Sequence, residues 1–340
     1  MKKIVHVGQM KSGTTYIQNS LSQNRALLGE AGFLYPGEYF NQQHACYGLC
    51  GSDIPWVKSK QQWSRLSTDM LKEIGESDQN ILISSEALSC MAEAGVERFV
   101  AALNGIDEVV ITVRNFHSVL LSAWQQSIKG GGIKSLPDFI SAMRKNRDNA
   151  RGMWLNYSFG QTTRLWSRFA NVKIVIAERV DGKDALLPRF SSACGLPSIP
   201  APQLTSMQEN KSLRREDAEL LRRFNLINRS MAKKERENYV RWLLRQGMFP
   251  AAGLSGGSKI KLPRESVEEI TSWALAEVSK VPTATEIFGD LSSICEAAAN
   301  DVEDAGLSED YDLVERSNFI LKLIFDSRNQ LEGIDSVAEG

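Results

Sequence analysis

The chain has 340 residues, 42% hydrophobic and 24% charged, an ordinary globular composition with enough length for a large core. A formal net charge of −1 gives no global attraction to nucleic acid or an anionic membrane, so any anion site must be local. Five cysteines with no spacing beyond one C-x-x-x-C, and only three histidines, argue against a disulfide framework and against a histidine-rich metal site.

Met1-Lys-Lys-Ile-Val-His-Val enters a strand directly, without the apolar core and cleavage site of a signal peptide, and no apolar stretch nears the roughly twenty residues of a membrane span. These features predict a cytoplasmic protein. A β-run over residues 4–8 leads into Lys11-Ser12-Gly13-Thr14-Thr15, and helical periodicity follows over 14–30. Amides at a helix start have no intrahelical partner and the dipole adds positive charge, so this turn offers several donors to one anion. Gly13 lets the backbone approach closely, Lys11 supplies a full charge, and the hydroxyls of Ser12, Thr14 and Thr15 supply further donors.

An ATP- or GTP-binding loop would read G-x-x-x-x-G-K-[ST]. Gly8, Gly13 and Thr15 fall in that register, but Thr14 occupies the lysine position and the lysine sits three residues earlier. With that displacement residues 3–21 closely resemble the sulfotransferase family, whose 5′-phosphosulfate loop has the form K-[ST]-G-T-[ST]. The resemblance implies an α/β fold in three layers, a parallel sheet flanked by helices, of the P-loop nucleoside-triphosphate-hydrolase type. It implies the donor 3′-phosphoadenosine 5′-phosphosulfate, leaving 3′,5′-adenosine bisphosphate, and no required metal. Lys11 is then a catalytic residue and, with Ser12, Gly13, Thr14 and Thr15, part of the donor site.

Further along, His44 in Asn41-Gln-Gln-His-Ala is a candidate base, since histidine titrates near neutral pH. A β-run over 80–84 ends at Ser84-Ser85-Glu86, and ligands of open α/β sheets bind at the carboxyl ends of strands. The resemblance to heparan-type carbohydrate sulfotransferases implies Glu86 as the catalytic base; capping of a helix start is its structural alternative. The β-run 109–113 is followed by Arg114, and Ser122 lies eight residues on. The resemblance assigns that pair to the 3′-phosphate, a role suited to a planar guanidinium fork. Phe116 stands where the family often has proline, while Trp124 and Gln126 fit its pattern. His6 reads as a satisfied core residue and His117 as a helix-face residue beside Arg114.

A fourth β-run covers 172–177, and further helical patterns cover 63–74, 96–103, 116–128, 136–144, 157–169 and 184–194. Strands alternating with helices predict a parallel sheet covered by helices. Lys129-Gly-Gly-Gly-Ile-Lys134 reads as a mobile loop. Asn156 and Tyr157 are acceptor-pocket candidates, with an ordinary helix start as the plainer reading, and Lys211 is a weak candidate for the adenine and 3′-phosphate pocket. Residues 214–244 read as a long charged helix with a salt-bridged face.

The expected organisation is a sulfotransferase domain over 1–295 and an acidic, then amphipathic, tail over 296–340 that could serve self-association. The expected function is sulfuryl transfer to a hydroxyl on a glycan, glycolipid or small molecule, without nucleic-acid or membrane partners. The alternatives are a P-loop nucleotide kinase or NTPase and a non-catalytic nucleotide-binding relative.

Overall fold

The computed structural model describes residues 1–51, 60–150, 152–180, 183–203, 212–245, 258–297 and 302–303. Its strands are β1 (Lys3–His6), β2 (Phe33–Leu34), β3 (Asn80–Ser84), β4 (Glu108–Arg114), β5 (Asn171–Ala177), β6 (Arg179–Val180), β7 (Lys183–Asp184), β8 (Leu262–Pro263), β9 (Glu286–Phe288) and β10 (Val302–Glu303). Its first six helices are α1 (Thr14–Gln23), α2 (Arg25–Glu30), α3 (Gln43–Cys50), α4 (Lys60–Gly75), α5 (Glu93–Ala102) and α6 (Phe116–Lys129). The other six are α7 (Leu136–Asp148), α8 (Phe159–Trp166), α9 (Leu186–Cys194), α10 (Arg215–Ile227), α11 (Lys233–Arg245) and α12 (Arg264–Val278). The chain divides into two compact units. The first comprises Met1–Val119, Met143–Thr205 and Glu268–Glu296, the second Leu120–Ala142, Ser206–Val267 and Ala297–Gly340.

The first unit holds a six-stranded, all-parallel sheet in the order β2-β3-β1-β4-β5-β9, flanked by helices. Its four inner strands are near-continuous apolar runs buried on both faces, with Ile4, Val5, Ile81 to Ile83, Val109 to Ile111 and Ile174 to Ile176 almost fully enclosed. Ile17 and Leu21, one helical turn apart on α1, join Leu186 and Phe190 of α9 against Ile4, Leu82, Val110 and Val175. Each such side chain contributes about 1.5–3 kcal/mol by burial. The α/β expectation therefore holds, and all four expected strands are present.

The edges differ from the sequence reading. β2 has two residues and β9 is a half-exposed Glu-Ile-Phe, so neither carries enough apolar alternation to be read locally. The helix expected over 14–30 is two helices, because Asn24 leaves helical geometry (φ −115°, ψ 27°) while its side-chain amide donates to the Ser20 carbonyl.

Within the second unit, the long helix expected over 214–244 is also two, α10 and α11. The Arg236 guanidinium donates to the carbonyls of Asn228, Arg229 and Met231, which holds the turn that follows α10. Glu219 pairs with Arg222 and Arg223, and Glu237 with Lys234 and Arg241, which makes the expected salt-bridged face. The expectation of a mobile loop at 129–134 is corrected. Asn225 Nδ2 donates to the carbonyls of Ile128 (2.9 Å) and Gly132 (2.8 Å), and Arg236 to that of Gly131 (3.3 Å). Arg222 binds the Ile133 carbonyl and Trp124 Nε1 the Lys134 carbonyl, so the segment is fastened residue by residue. Lys211 and the tail beyond residue 303 lie outside the described residues.

Candidate functional site

In a parallel sheet all carboxyl ends lie along one edge. From β1 the chain crosses to β2 on one side, and from β4 it continues to β5 on the other, so the winding reverses between the neighbours β1 and β4. Open α/β sheets bind ligands at such a reversal. The loop after β1 and Arg114 at the end of β4 flank it.

The loop is braced from behind. The Gln9 amide donates to the Thr112 carbonyl (2.9 Å) and the Met10 amide to the Asn156 carbonyl (3.2 Å). The Gln9 side chain donates to the Tyr157 carbonyl (2.8 Å) and accepts from the Arg114 amide (3.3 Å). Asn156 and Tyr157 thus offer their carbonyls to the loop, and the ring of Tyr157 is buried. Gly8 is required by space, since a Cβ there would lie 2.0 Å from Thr14 Cγ2 and 2.7 Å from Thr112 Oγ1.

Two left-handed residues shape the turn, Lys11 at φ 69° and Gly13 at φ 88°. For lysine that conformation costs on the order of 1–3 kcal/mol, so neighbouring contacts must impose it. Ser12 supplies them: its hydroxyl donates to the Gln9 carbonyl (2.6 Å) and lies 2.7 Å from Thr112 Oγ1. Ser12 is fully enclosed and closes the turn, where the sequence had suggested an outward donor. Gly13 precedes α1 with no side-chain cap, and the first turn of α1 carries no acidic residue to offset the positive dipole end at Thr14 and Thr15.

Beneath the loop, His6 bridges strands, with Nδ1 2.7 Å from Ser84 Oγ and Nε2 3.1 Å from Thr112 Oγ1. Its complete burial lowers its pKa to about 3 and keeps the ring neutral. A continuous polar chain therefore runs Ser84, His6, Thr112, Ser12, Gln9. His6 is the satisfied core histidine expected, but Gln9 and Thr112 were missed. Their one local signal is a polar residue directly after one apolar strand and inside another.

Glu86 opens the turn after β3, half-buried, and its Oε2 accepts from Gln18 Nε2 of α1 (2.8 Å). Arg114 is exposed at the end of β4. The loop, Glu86 and Arg114 thus lie at the carboxyl ends of three adjacent strands of the first unit. Ser122 is half-buried on α6 and belongs to the second unit, and Trp124 is a buried anchor there. His117 is wholly buried, with Nε2 3.1 Å from Thr271 Oγ1.

His44 occupies the second position of α3. It is exposed on α3 and lines a cleft of about 860 Å³ between residues 36–45 and α4, whose lining includes neither Glu86, Lys11 nor Arg114. All five cysteines are free, and burial raises the Cys46 thiol well above its usual range and that of Cys50 to about 12. Among the described residues no cluster of His, Cys, Asp or Glu is arranged for a metal ion, and no helix is long and apolar enough to cross a membrane.

No family model and no curated protein matches the chain. Among solved structures it is similar to a sulfotransferase from Alicyclobacillus acidocaldarius, at 11% identity and a TM-score of 0.45, over 83% of this chain and 94% of that one.

Proposed function

We propose that this protein transfers a sulfuryl group from 3′-phosphoadenosine 5′-phosphosulfate to a hydroxyl of a carbohydrate or glycolipid acceptor. The observation that carries the reading is the loop with left-handed Lys11 and Gly13 placed with Arg114 at the two sides of the sheet's winding reversal. The residues fit such a donor at both ends. The uncapped start of α1 and Lys11 suit the 5′-phosphosulfate, and Arg114 suits the 3′-phosphate. Ser122 as a second 3′-phosphate ligand rests on sequence resemblance alone.

The donor supplies a sulfuryl group on a phosphate leaving group. Lys11 stabilises the negative charge that develops on the departing oxygen, and the amides of Thr14 and Thr15 hold the anionic oxygens. Glu86 takes the acceptor proton, a role supported by its position at the same strand edge and its bond to α1 through Gln18. His44, on the cleft wall, is the alternative base. A nucleotide kinase would need lysine where Thr14 stands.

Calorimetric titration with 3′,5′-adenosine bisphosphate, and separately with ADP and magnesium, tests the reading. Tight, metal-independent binding of the bisphosphate is expected. A preference for magnesium-ADP would replace the reading with a kinase-like one.

A further inference from the structure

The cleft beside His44 has a chemistry of its own. Tyr39 is 62% and Phe40 39% exposed, uncommon for neighbouring aromatics unless their faces are used. Asn41, Gln43 and Gln62 add amide donors and acceptors to the same lining. The charged lining is Glu38, Asp69 and Glu73 against a single guanidinium, Arg65. Arg65 is 3.7 Å from Asp69 with both side chains largely in water, a pairing that contributes little. Glu73 accepts from the Gly37 amide (2.7 Å) and is offset by the nearby charge of Arg25. Among the described residues the balance facing an occupant is one negative charge, three carboxylates against the guanidinium groups of Arg65 and Arg25.

This wall is joined to the strand edge that carries Glu86. The Gln42 amide side chain accepts from the Ser84 amide (2.9 Å) and donates to the Pro36 carbonyl (3.0 Å), and the Gln42 backbone amide donates to the Ser84 carbonyl (3.4 Å). Gln42 therefore docks the cleft segment onto the last residue of β3, two positions before Glu86.

We propose that this cleft is the acceptor site and that it takes an uncharged, polyhydroxylated ring, which stacks on Tyr39 and Phe40 while the amides meet its hydroxyls. A carboxylate at a separation near 6 Å in water disfavours an anionic counterpart about threefold, so the one uncompensated charge discriminates about threefold. Salt weakens that discrimination and leaves the stacking. This assignment rests on the proposed transfer reaction for the word acceptor, but the cleft's ligand chemistry stands on its own residues.

The test is titration of the full chain, with and without 3′,5′-adenosine bisphosphate, using p-nitrophenyl β-glucoside and p-nitrophenyl β-glucuronide, which differ in one carboxylate. The glucoside is expected to bind about threefold more tightly at low salt, with the gap closing at about 0.5 M salt. Tyr39→Ala with Phe40→Ala should weaken the glucoside about tenfold, and Glu38→Gln should bring the glucuronide to parity. All three positions are exposed, and circular dichroism checks that each variant is folded. Equal or tighter binding of the glucuronide by the native chain, or binding of neither glycoside, overturns the proposal. Glucoside binding without bisphosphate binding retires the donor reading and leaves the cleft assignment standing.

Discussion

Two glycine-containing loops of this protein look alike as sequence and differ in what their polar groups do. In the segment 129–134 of the second unit, the carbonyls of Gly131 to Lys134 each receive a side-chain donor. In the loop 8–15 of the first unit, the side chains of Gln9 and Ser12 tie the rear, while the α1 end has no side-chain cap. The first is a clasp and the second, on the proposed reading, an anion cradle. A glycine cluster thus acquires meaning from the partners of its backbone, and those include residues more than a hundred positions away.

The sharpest way to break the comparison is Lys11→Ala, which should lower turnover about 10²–10³-fold with stability little changed, read from sulfate transfer and thermal melting. Ordinary turnover in that variant would reduce the cradle to another structural turn. Next, Asn225→Leu leaves two clasp carbonyls without their donor and should cost about 3 kcal/mol in urea unfolding, with bisphosphate affinity within threefold of the native value. An undiminished stability would show that the clasp carries no weight.

The polar chain under the cradle predicts a pH effect. His6 has a folded pKa near 3 against the ordinary 6.5, so the unfolded chain binds the extra proton between those values and stability falls as pH drops below about 6.5. This group alone should remove about 2 kcal/mol between pH 7 and pH 5. His6→Gln should flatten that slope in paired urea titrations; an unchanged slope would place the titration elsewhere. The smallest effect concerns strain. Lys11→Gly releases the left-handed conformation and should raise stability by about 1 kcal/mol while turnover falls as in the alanine variant.

Legibility followed burial. β1, β3, β4 and β5 were readable because strands covered on both faces become apolar runs, whereas β2 and β9, short and at the edges, carry no such run. The cradle was readable because its glycine, lysine and hydroxyl residues are contiguous. The roles of Gln9, Thr112 and Gln18 were not, since each is an ordinary polar residue until folding brings its partner within 3.3 Å. The same applies to the aromatic wall: Tyr39 and Phe40 are two unremarked residues in a polar stretch, and α4 turns them into one side of a cleft.

By itself the sequence determined the strand-loop-helix start, the inner sheet and the candidates Lys11, Glu86 and Arg114, because apolar periodicity and contiguous turn chemistry are local properties of the chain. Tertiary structure decided the rest. It turned Ser12 inward, drew His6 into a neutral bridge between strands, fastened the expected mobile loop and set His44 in the wall of a cleft. Those outcomes depend on which distant groups satisfy buried hydrogen bonds, and that pairing exists only once β3, β1 and β4 lie side by side.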